Sequence, residues 1–353
     1  IGLVGYSASN ESKFTTKDYW LFGFKLDQNE SDPASMIRYI EDNESYQSAY
    51  MDYDTGKFNY GNWENAWFMK VKPCMLNYDG TVAYYLNPNN YTLKEDGTAS
   101  DITDVNFGGN AMVGIPKTYW KIIDNGDNTA NIYFSNKKVE DDFHCWSHID
   151  NNGNEIDYCY MPIYTGYSDG TRLRSLSGKM PMSSQTATTE IDLAKANNQD
   201  DNVIWYTEVY SDRMLINLLL LLIGKSTNSQ VVFGNGNCAG SRITNGALDN
   251  KDIFYGESNS NNAVKVFGME NYWGHIQRRI AGWINNRGNQ IVKLTYGQSD
   301  GSAVDGYNTD GTGYISSSCT FSNTSGGYIN KMSFTKYGLL PITANGSATT
   351  YYS

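Results

Sequence analysis

The sequence has few of the side chains on which most catalytic and cross-linked sites depend. It contains three histidines and five cysteines in 353 residues, and no two cysteines form a Cys-x-x-Cys pair. Histidine is the side chain whose ordinary pKa lies closest to neutral pH, so its scarcity limits acid–base designs. The odd number of scattered cysteines argues against a disulfide framework, although a single Cys145–Cys159 bridge is an open alternative.

Positive charge and long apolar runs are also in short supply. The chain has 27 basic and 38 acidic residues, a formal net charge of −11, and no basic stripe offsets the excess. Nucleic acids and anionic membranes attract basic surfaces, so neither is predicted as the main partner. The most apolar run, centred on Leu218–Ile223, is far shorter than the ~20 residues needed to cross a bilayer, so no membrane insertion is predicted.

Tyrosine and glycine are abundant instead. The chain has 28 Tyr, 8 Trp and 34 Gly, while charged residues make up only 18%. This composition is typical of turn-rich chains of short strands, and of binding surfaces on which tyrosine gives contact area at low entropic cost. Strand propensity alone explains the tyrosines equally well. Because residue 1 is Ile rather than Met, we expect the chain to be a fragment or a processed product.

Turn dipeptides at regular intervals predict a series of hairpins. The strongest are Asp79-Gly80, Asp96-Gly97 and Asn125-Gly126, because these pairs adopt positive φ at little cost. Residues 117–135 give the clearest hairpin, since apolar alternation continues on both sides of a DNGDN turn. Residues 19–26 alternate in the same way. The fold class predicted from these patterns is α+β, mostly β.

Two helices stand out against this background. A weak one covers about residues 188–197. The second covers residues 214–225, begins after a capping Ser211 or Asp212 and stops at Gly224. Its leucines lie on every face, which predicts a helix that is buried nearly all round and forms the spine of the core.

The segment Val266–Ile284 combines several large aromatic side chains with two arginines. Apolar residues recur at three- and four-residue steps from Trp273 onward, which predicts one apolar face of a short helix. Of the adjacent Arg278 and Arg279, we predict that one forms a salt bridge inside the fold and the other is solvated. Contact of an arginine with a ligand is an open alternative.

Two segments superficially resemble metal sites. His144 and His148 flank Cys145, and on a helix the two rings would share a face and could hold zinc. The flanking residues indicate a turn and a strand, however, and no third ligand follows at a suitable spacing. Residues 150–154 imitate a calcium loop but place the glycine wrongly and lack the final Glu. We therefore predict no metal, no cofactor and no catalytic residue.

The sequence resembles a known family in one short signature and also over most of its length. Residues 268–283, GMENYWGHIQRRIAGW, resemble the G-x-E-N-x-W-G-N-x-W-E-W signature of C-type-lectin folds of the formylglycine-generating (sulfatase-modifying) type. From about Tyr19 the whole chain resembles tail and adhesin proteins of gut-bacterial phages and prophages that carry this fold. Some relatives are targets of diversity-generating retroelements, which vary a binding surface. The matching pieces include FGFKLDQNESDPASMIRYIED, KPCMLNYDGTVAYYLNPNNYTLKEDGT, GNAMVGIPKTYWKI, EIDYCYMPIYTGY, LLLIGKSTNSQVVFGNG and GYNTDGTGYISS.

The chain departs from the signature at two places. His275 stands where the signature has Asn, and Gln-Arg-Arg at 277–279 replaces its Trp-Glu-Trp. The copper-binding cysteine pair of formylglycine-generating enzymes has no counterpart in this sequence, which argues against that activity. Reactivity of Cys238 and Cys319 would test it.

The resemblance implies a domain organisation. It places a connector at residues 1–17, a β-rich part at 18–105, and a C-type-lectin-like domain with two helices and long loops at 106–353. Relatives continue past the point that corresponds to Ser353, so we expect the last domain to be truncated.

The resemblance also implies a function without catalysis. We expect a receptor-binding protein, or adhesin, in the virion of a phage or prophage, acting from the tail at the bacterial cell surface. Its partners would be a bacterial surface receptor, protein or glycan, and other tail proteins, with a homotrimer as an open alternative. The rival hypotheses are a sulfatase-modifying-type enzyme and a purely structural virion protein. The expected ligand-binding residues are Asn285, Asn286, Arg287, Tyr307, Asn308, Tyr351 and Tyr352.

Overall fold

Short antiparallel strands dominate the computed structural model of the chain, which describes residues 17–321 and 327–346. The strands are β1 (Leu21–Asp27), β2 (Ile37–Glu41), β3 (Tyr50–Asp52), β4 (Lys57–Asn59), β5 (Lys72–Asn77), β6 (Val82–Asn87), β7 (Asn90–Lys94), β8 (Gly109–Pro116), β9 (Tyr119–Asp124), β10 (Thr129–Ser135), β11 (Tyr158–Pro162), β12 (Tyr167–Ser168), β13 (Leu173–Arg174), β14 (Lys265–Val266), β15 (Met269–Glu270), β16 (Trp283–Asn286), β17 (Asn289–Val292), β18 (Ile315–Thr320), β19 (Lys331–Thr335) and β20 (Gly338–Thr343). The helices are α1 (Ala187–Lys195), α2 (Tyr210–Gly224) and α3 (Ser229–Phe233). The fold is therefore α+β and mostly β, as the sequence predicts.

Two antiparallel sheets form most of the scaffold. One has the strand order β2-β1-β10-β9 and the other β11-β8-β5-β6-β7. The predicted hairpin at 117–135 is confirmed: β9 and β10 pair with Ile122 opposite Ile132. Its turn contains Gly126 at a φ of 79°, the left-handed conformation that this dipeptide favours.

Both large sheets join strands from the two sides of residue 105. β1 pairs with β10, and β5 pairs with β8. A single cluster of buried apolar side chains extends from Phe22 to Leu340. Residues 18–105 and the described part of 106–353 therefore share one hydrophobic core.

Helix α2 is the predicted spine of that core. Twelve of its fifteen residues are buried, and burial of each leucine contributes about 2 kcal/mol. The predicted capping by Ser211 or Asp212 is wrong, because the helix starts earlier and Val209 is its N-cap. Both residues therefore lie inside the first turn. The helix ends at Gly224, as predicted, and the next residue, Lys225, is its C-cap, with a left-handed φ of 51°.

The other two helices are shorter. Thr186 caps α1 and accepts a hydrogen bond from the Thr189 N–H, so the predicted weak helix is confirmed with slightly earlier bounds. The sequence did not predict α3, which has only five residues. Its cap is Asn228, whose side chain accepts from the Val231 N–H. Within the described ranges, none of the helices is both long and apolar enough to span a membrane.

The helix predicted from Trp273 onward does not form. After β15 the chain continues in turns, with positive φ at Asn271 (55°), Gly274 (78°) and Gly282 (81°), and then enters β16. Backbone groups here bond distant segments instead of the next helical turn. For example, the Ala281 N–H donates to the Glu208 carbonyl at 2.8 Å. The apolar spacing reflects packing of turns against the core rather than a helical face.

Candidate functional site

A groove with a volume of about 1220 Å³ opens beside the first turn of α2. Its walls include β11 and the irregular segment 202–209, and residues 276–279 and Tyr307 also line it. We call this feature the central groove. Pockets for single small molecules usually measure about 300–1,000 Å³, so the central groove has room for an extended ligand.

Asp212 lies in this groove as a carboxyl group without a cationic partner among the described residues. Protein surrounds its side chain on most sides, while the groove leaves part of it accessible to water. Burial raises the pKa of Asp212 to about 7; Ser147 opposes this shift and the negative charge of Glu208 adds to it. The Ser147 hydroxyl is close enough to affect that pKa but makes no well-aligned hydrogen bond.

Glu208, just before α2, has the opposite environment. Its carboxylate accepts from Arg213 at 3.1 Å and lies 3.4 Å from the nearest guanidinium nitrogen of Arg278. Burial raises its pKa, but Arg278 and Arg213 outweigh this and hold the pKa below its ordinary value. Arg213 also stacks over the ring of Tyr272, 3.8 Å from the ring centroid. The Glu208 carboxylate therefore forms salt bridges with both guanidinium groups.

The two predicted arginines now have defined partners. Arg278 forms the expected internal salt bridge with Glu208, and it also donates to the Thr165 hydroxyl at 3.1 Å. Arg279 is more exposed, as predicted, but is not merely solvated. It pairs with Glu190 of α1 at 2.6 Å.

Three tyrosine rings form one end of the groove. The centroid of Tyr206 lies 5.0 Å from that of Tyr307 and 6.2 Å from that of Tyr296. The Tyr206 hydroxyl donates to the Tyr307 carbonyl at 3.0 Å, which fixes its ring. All three rings line the groove and are half-buried, so they offer rigid apolar contact area.

The thiol nearest to this cluster is unreactive in its environment. Cys159 on β11 is buried, and burial raises its pKa well above the ordinary value, with the charge of Asp212 adding to the shift. A nucleophilic cysteine needs the opposite change, toward the thiolate. The groove therefore offers an acid without a cationic partner among the described residues, a paired carboxylate and aromatic surface, and its one cysteine is not activated as a nucleophile.

Among the expected ligand-binding residues that the structure describes, only Tyr307 lines the central groove. Asn308 follows it, but its side chain is used within its own loop, accepting from the Gly311 N–H at 2.7 Å and donating to the Thr312 carbonyl. Tyr351 and Tyr352 lie outside the described residues.

Asn285, Asn286 and Arg287 lie together at the exposed turn between β16 and β17. The Asn285 side chain accepts from the Gly288 N–H and donates to the Phe321 carbonyl, both at 2.8 Å. Arg287 has a φ of 54°. This turn is a surface separate from the groove lining; the Asn285 side chain is used within the fold, whereas those of Asn286 and Arg287 are exposed.

Sequence reasoning missed the acidic pair Glu208 and Asp212. The available signal was an acid in the first turn of an otherwise apolar helix, with a second acid four residues earlier. That signal also fits simple helix capping, because acids are common at helix N-termini. It does not reveal the pairing with Arg278, which is 70 residues away from Glu208 in sequence.

The histidines and cysteines occupy ordinary positions. Trp146–His148 is a short 3₁₀ turn in which buried His148 contacts the Ile115 carbonyl at 3.0 Å, and burial lowers the pKa of His148 to about 4. His144 stacks on Trp146. All five cysteines are free, including Cys145 and Cys159. Within residues 17–321 and 327–346, no group of three or more His, Cys, Asp or Glu side chains is arranged to hold a metal ion.

The central groove thus combines an unpaired acid, aromatic walls and internally paired charges. Comparisons with protein-family models, curated proteins and solved structures give no match to this chain.

Proposed function

We propose that the protein is a non-enzymatic receptor-binding protein of a phage tail or prophage, built on a C-type-lectin fold of the formylglycine-generating type. The observation that carries the proposal is the central groove, where Tyr206, Tyr296 and Tyr307 present half-buried rings. Tyrosine is the residue that paratopes use for rigid contact at low entropic cost. The groove is large enough for part of a macromolecule.

The charges around the groove favour binding over catalysis. Glu208 is held by two arginines, and Glu190 is held by Arg279. Side chains that neutralise one another in the free protein fix the shape of a site before the ligand arrives, which reduces the free-energy cost of binding. The buried Cys159 thiol supplies no nucleophile.

The segment 266–284 supports the fold part of the proposal by being structural. Phe267, Met269 and Glu270 are all buried. The Glu270 carboxyl accepts from the backbone N–H groups of Gly246 and Leu248, each at 2.9 Å. Signature residues that organise loops from within are what a lectin-type scaffold requires.

In this proposal the protein resides in the virion and acts at the bacterial surface. The groove and the exposed turn at Asn285–Arg287 face the receptor, and other surfaces contact neighbouring tail proteins, with a homotrimer as the form to test first. The net charge of −11 is compatible with a partner whose contact surface is neutral or basic.

Binding of the purified, fluorescently labelled chain to a panel of gut-bacterial cells tests the proposal by flow cytometry. Tyr296→Ala removes a groove ring and should weaken binding to a host strain roughly tenfold, the size expected for an aromatic anchor. Tyr85→Ala is the matched control, because Tyr85 is exposed on β6 and does not line the groove. Failure of the wild-type chain to bind any strain would contradict the proposal and favour a purely structural virion protein. Equal losses in both variants would contradict the groove as the receptor-binding surface.

A further inference from the structure

The edge of a β-sheet opens into the central groove. β11 is the outermost strand of the five-stranded sheet, and β8 is its one neighbour in that sheet. All five residues of β11 line the groove. An edge strand carries a row of backbone donors and acceptors that can pair with another chain.

The register of β11 shows which of its backbone groups are open. The Lys117 N–H donates to the Asp157 carbonyl at 2.8 Å, and Tyr158 stands opposite Pro116. Bonded and non-bonded pairs alternate in an antiparallel ladder, so residues 159 and 161 face β8. Tyr158 and Tyr160 therefore direct their N–H and C=O groups away from the sheet.

These outward groups have no hydrogen-bond partner among the residues that the structure describes. The same holds for the backbone of Tyr206 and Thr207 in the irregular segment 202–209, which also lines the groove. Backbone polar groups in protein interiors are nearly always paired. The edge of β11 and a second segment therefore offer unused donors and acceptors in one groove.

Asp212 adds a charge requirement. It lies within electrostatic reach of Cys159 on β11, and the other ionisable groups near it are Glu208, Tyr272 and Tyr307. None of these supplies a positive charge, and the two nearby arginines are taken by Glu208. A buried carboxylate is stabilised strongly when a cation pairs with it. A ligand with a basic side chain would supply the missing partner.

We propose that the central groove binds an extended peptide segment of a partner protein, which adds as a strand to the edge of β11 and places a lysine or arginine against Asp212. Main-chain hydrogen bonds would give affinity, and the pocket at Asp212 would give specificity. The inference rests on the proposed function and deepens it, because it makes the receptor a protein segment rather than a glycan.

Selection of the purified chain against a random dodecapeptide library displayed on filamentous phage provides the probe. The expected result is enrichment of peptides with alternating β-forming residues and one basic residue at a constant position. Synthetic, fluorescein-labelled copies of the enriched peptides are then titrated by fluorescence anisotropy. Enrichment without a basic residue, or no enrichment, would overturn the inference.

Two matched variants of Tyr160 test strand addition directly. Tyr160→Pro removes the outward N–H and leaves the ladder to β8 intact, because that N–H takes no part in it. Tyr160→Val also loses the ring but keeps the N–H. Peptide affinity should be at least about fivefold lower in the proline variant than in the valine variant. This difference is the effect expected from the loss of one hydrogen bond and from the proline ring, which projects toward the added strand. If the proline variant does not fold, N-methylation of alternate peptide bonds in the ligand removes donors from the other side and should lower affinity in the same alternating pattern.

A double-mutant cycle tests the pairing with Asp212. Asp212→Asn should weaken binding of the lysine-containing peptide about tenfold. It should change affinity by less than about twofold for an analogue in which norleucine replaces that lysine. Equal effects on both peptides would refute the ion pair.

The outcomes separate this inference from the proposed function. Suppose that the wild-type chain binds host cells, that a purified polysaccharide from their surface competes for this binding, and that Tyr160→Pro binds the cells as tightly as Tyr160→Val. Strand addition is then refuted, while receptor binding stands. If peptides bind the groove with the predicted pattern but no host cell is bound, strand addition is supported and the adhesin proposal fails.

Discussion

Replacement of Asp212 by Asn should stabilise the protein above about pH 4, and the gain should grow as the pH rises to 7. The pKa of this carboxyl is about 7 in the folded protein and 3.8 ordinarily. Below pH 3.8 it is protonated in both states and has no effect on stability. As the pH rises from 4 to 7, the unfolded chain ionises first, so the free energy of unfolding decreases, and the loss is complete above pH 7.

The magnitude follows from the size of the shift. A difference of about 3 pKa units at about 1.4 kcal/mol per unit corresponds to roughly 4 kcal/mol at pH 8. Water in the groove screens part of this, so the expected gain for Asp212→Asn is about 2–4 kcal/mol at pH 8 and under about 1 kcal/mol at pH 4.5. The asparagine side chain has nearly the same shape, so packing changes little.

Urea unfolding at pH 4.5, 6 and 8, followed by tryptophan fluorescence, measures the effect. Asp150→Asn is the control, because it should change the free energy of unfolding in the opposite direction. Burial raises the pKa of Asp150, but backbone N–H groups of Asn154 and Asn152 outweigh it and hold the pKa below its ordinary value. That variant should therefore lose stability at pH 8. A gain for Asp212→Asn that is equal at pH 4.5 and 8, or a loss at pH 8, would refute the assignment of a raised pKa.

Three further predictions concern the core, the thiols and the exposed turn. Leu219→Ala, at a fully buried position of α2, should reduce the free energy of unfolding by about 2–5 kcal/mol in urea titrations; a loss under about 1 kcal/mol would show that α2 is not the spine. Thiol titration with a chromogenic disulfide should detect one reactive cysteine, Cys238, in the native protein and all five after unfolding; fewer than five would reveal a bridge. Arg287→Ala should change stability by less than about 0.5 kcal/mol while lowering host-cell binding, and unchanged binding would remove this turn from the receptor surface.

Local patterns predicted the elements whose causes are local. The β9–β10 hairpin follows from a turn dipeptide between two alternating strands, and both signals lie within twenty residues of chain. Helix α2 follows from an uninterrupted leucine run, since a helix that is apolar on every face must be buried. These predictions needed no knowledge of distant residues.

The predicted helix after Trp273 failed because its apolar spacing had another cause. Gly274 and Gly282 take positive φ, and Asn271 does so as well, which ends any helix at those points. The Ala281 N–H, next to Gly282, is bonded to the Glu208 carbonyl far away in sequence. A periodic pattern cannot distinguish a helical face from turns that each place one side chain in the core.

Local sequence is enough to predict the mostly β class, the main hairpin and the buried helix, because propensity and periodicity act over a few residues. The environment of Asp212 comes from tertiary packing. In sequence it is an acid at the start of a helix, whereas in the fold it lies within electrostatic reach of Ser147, Cys159 and Tyr307, and both nearby arginines pair with Glu208. Its pKa, and the open edge of β11 beside it, depend on which segments meet in space, and that is a property of packing rather than of any local stretch.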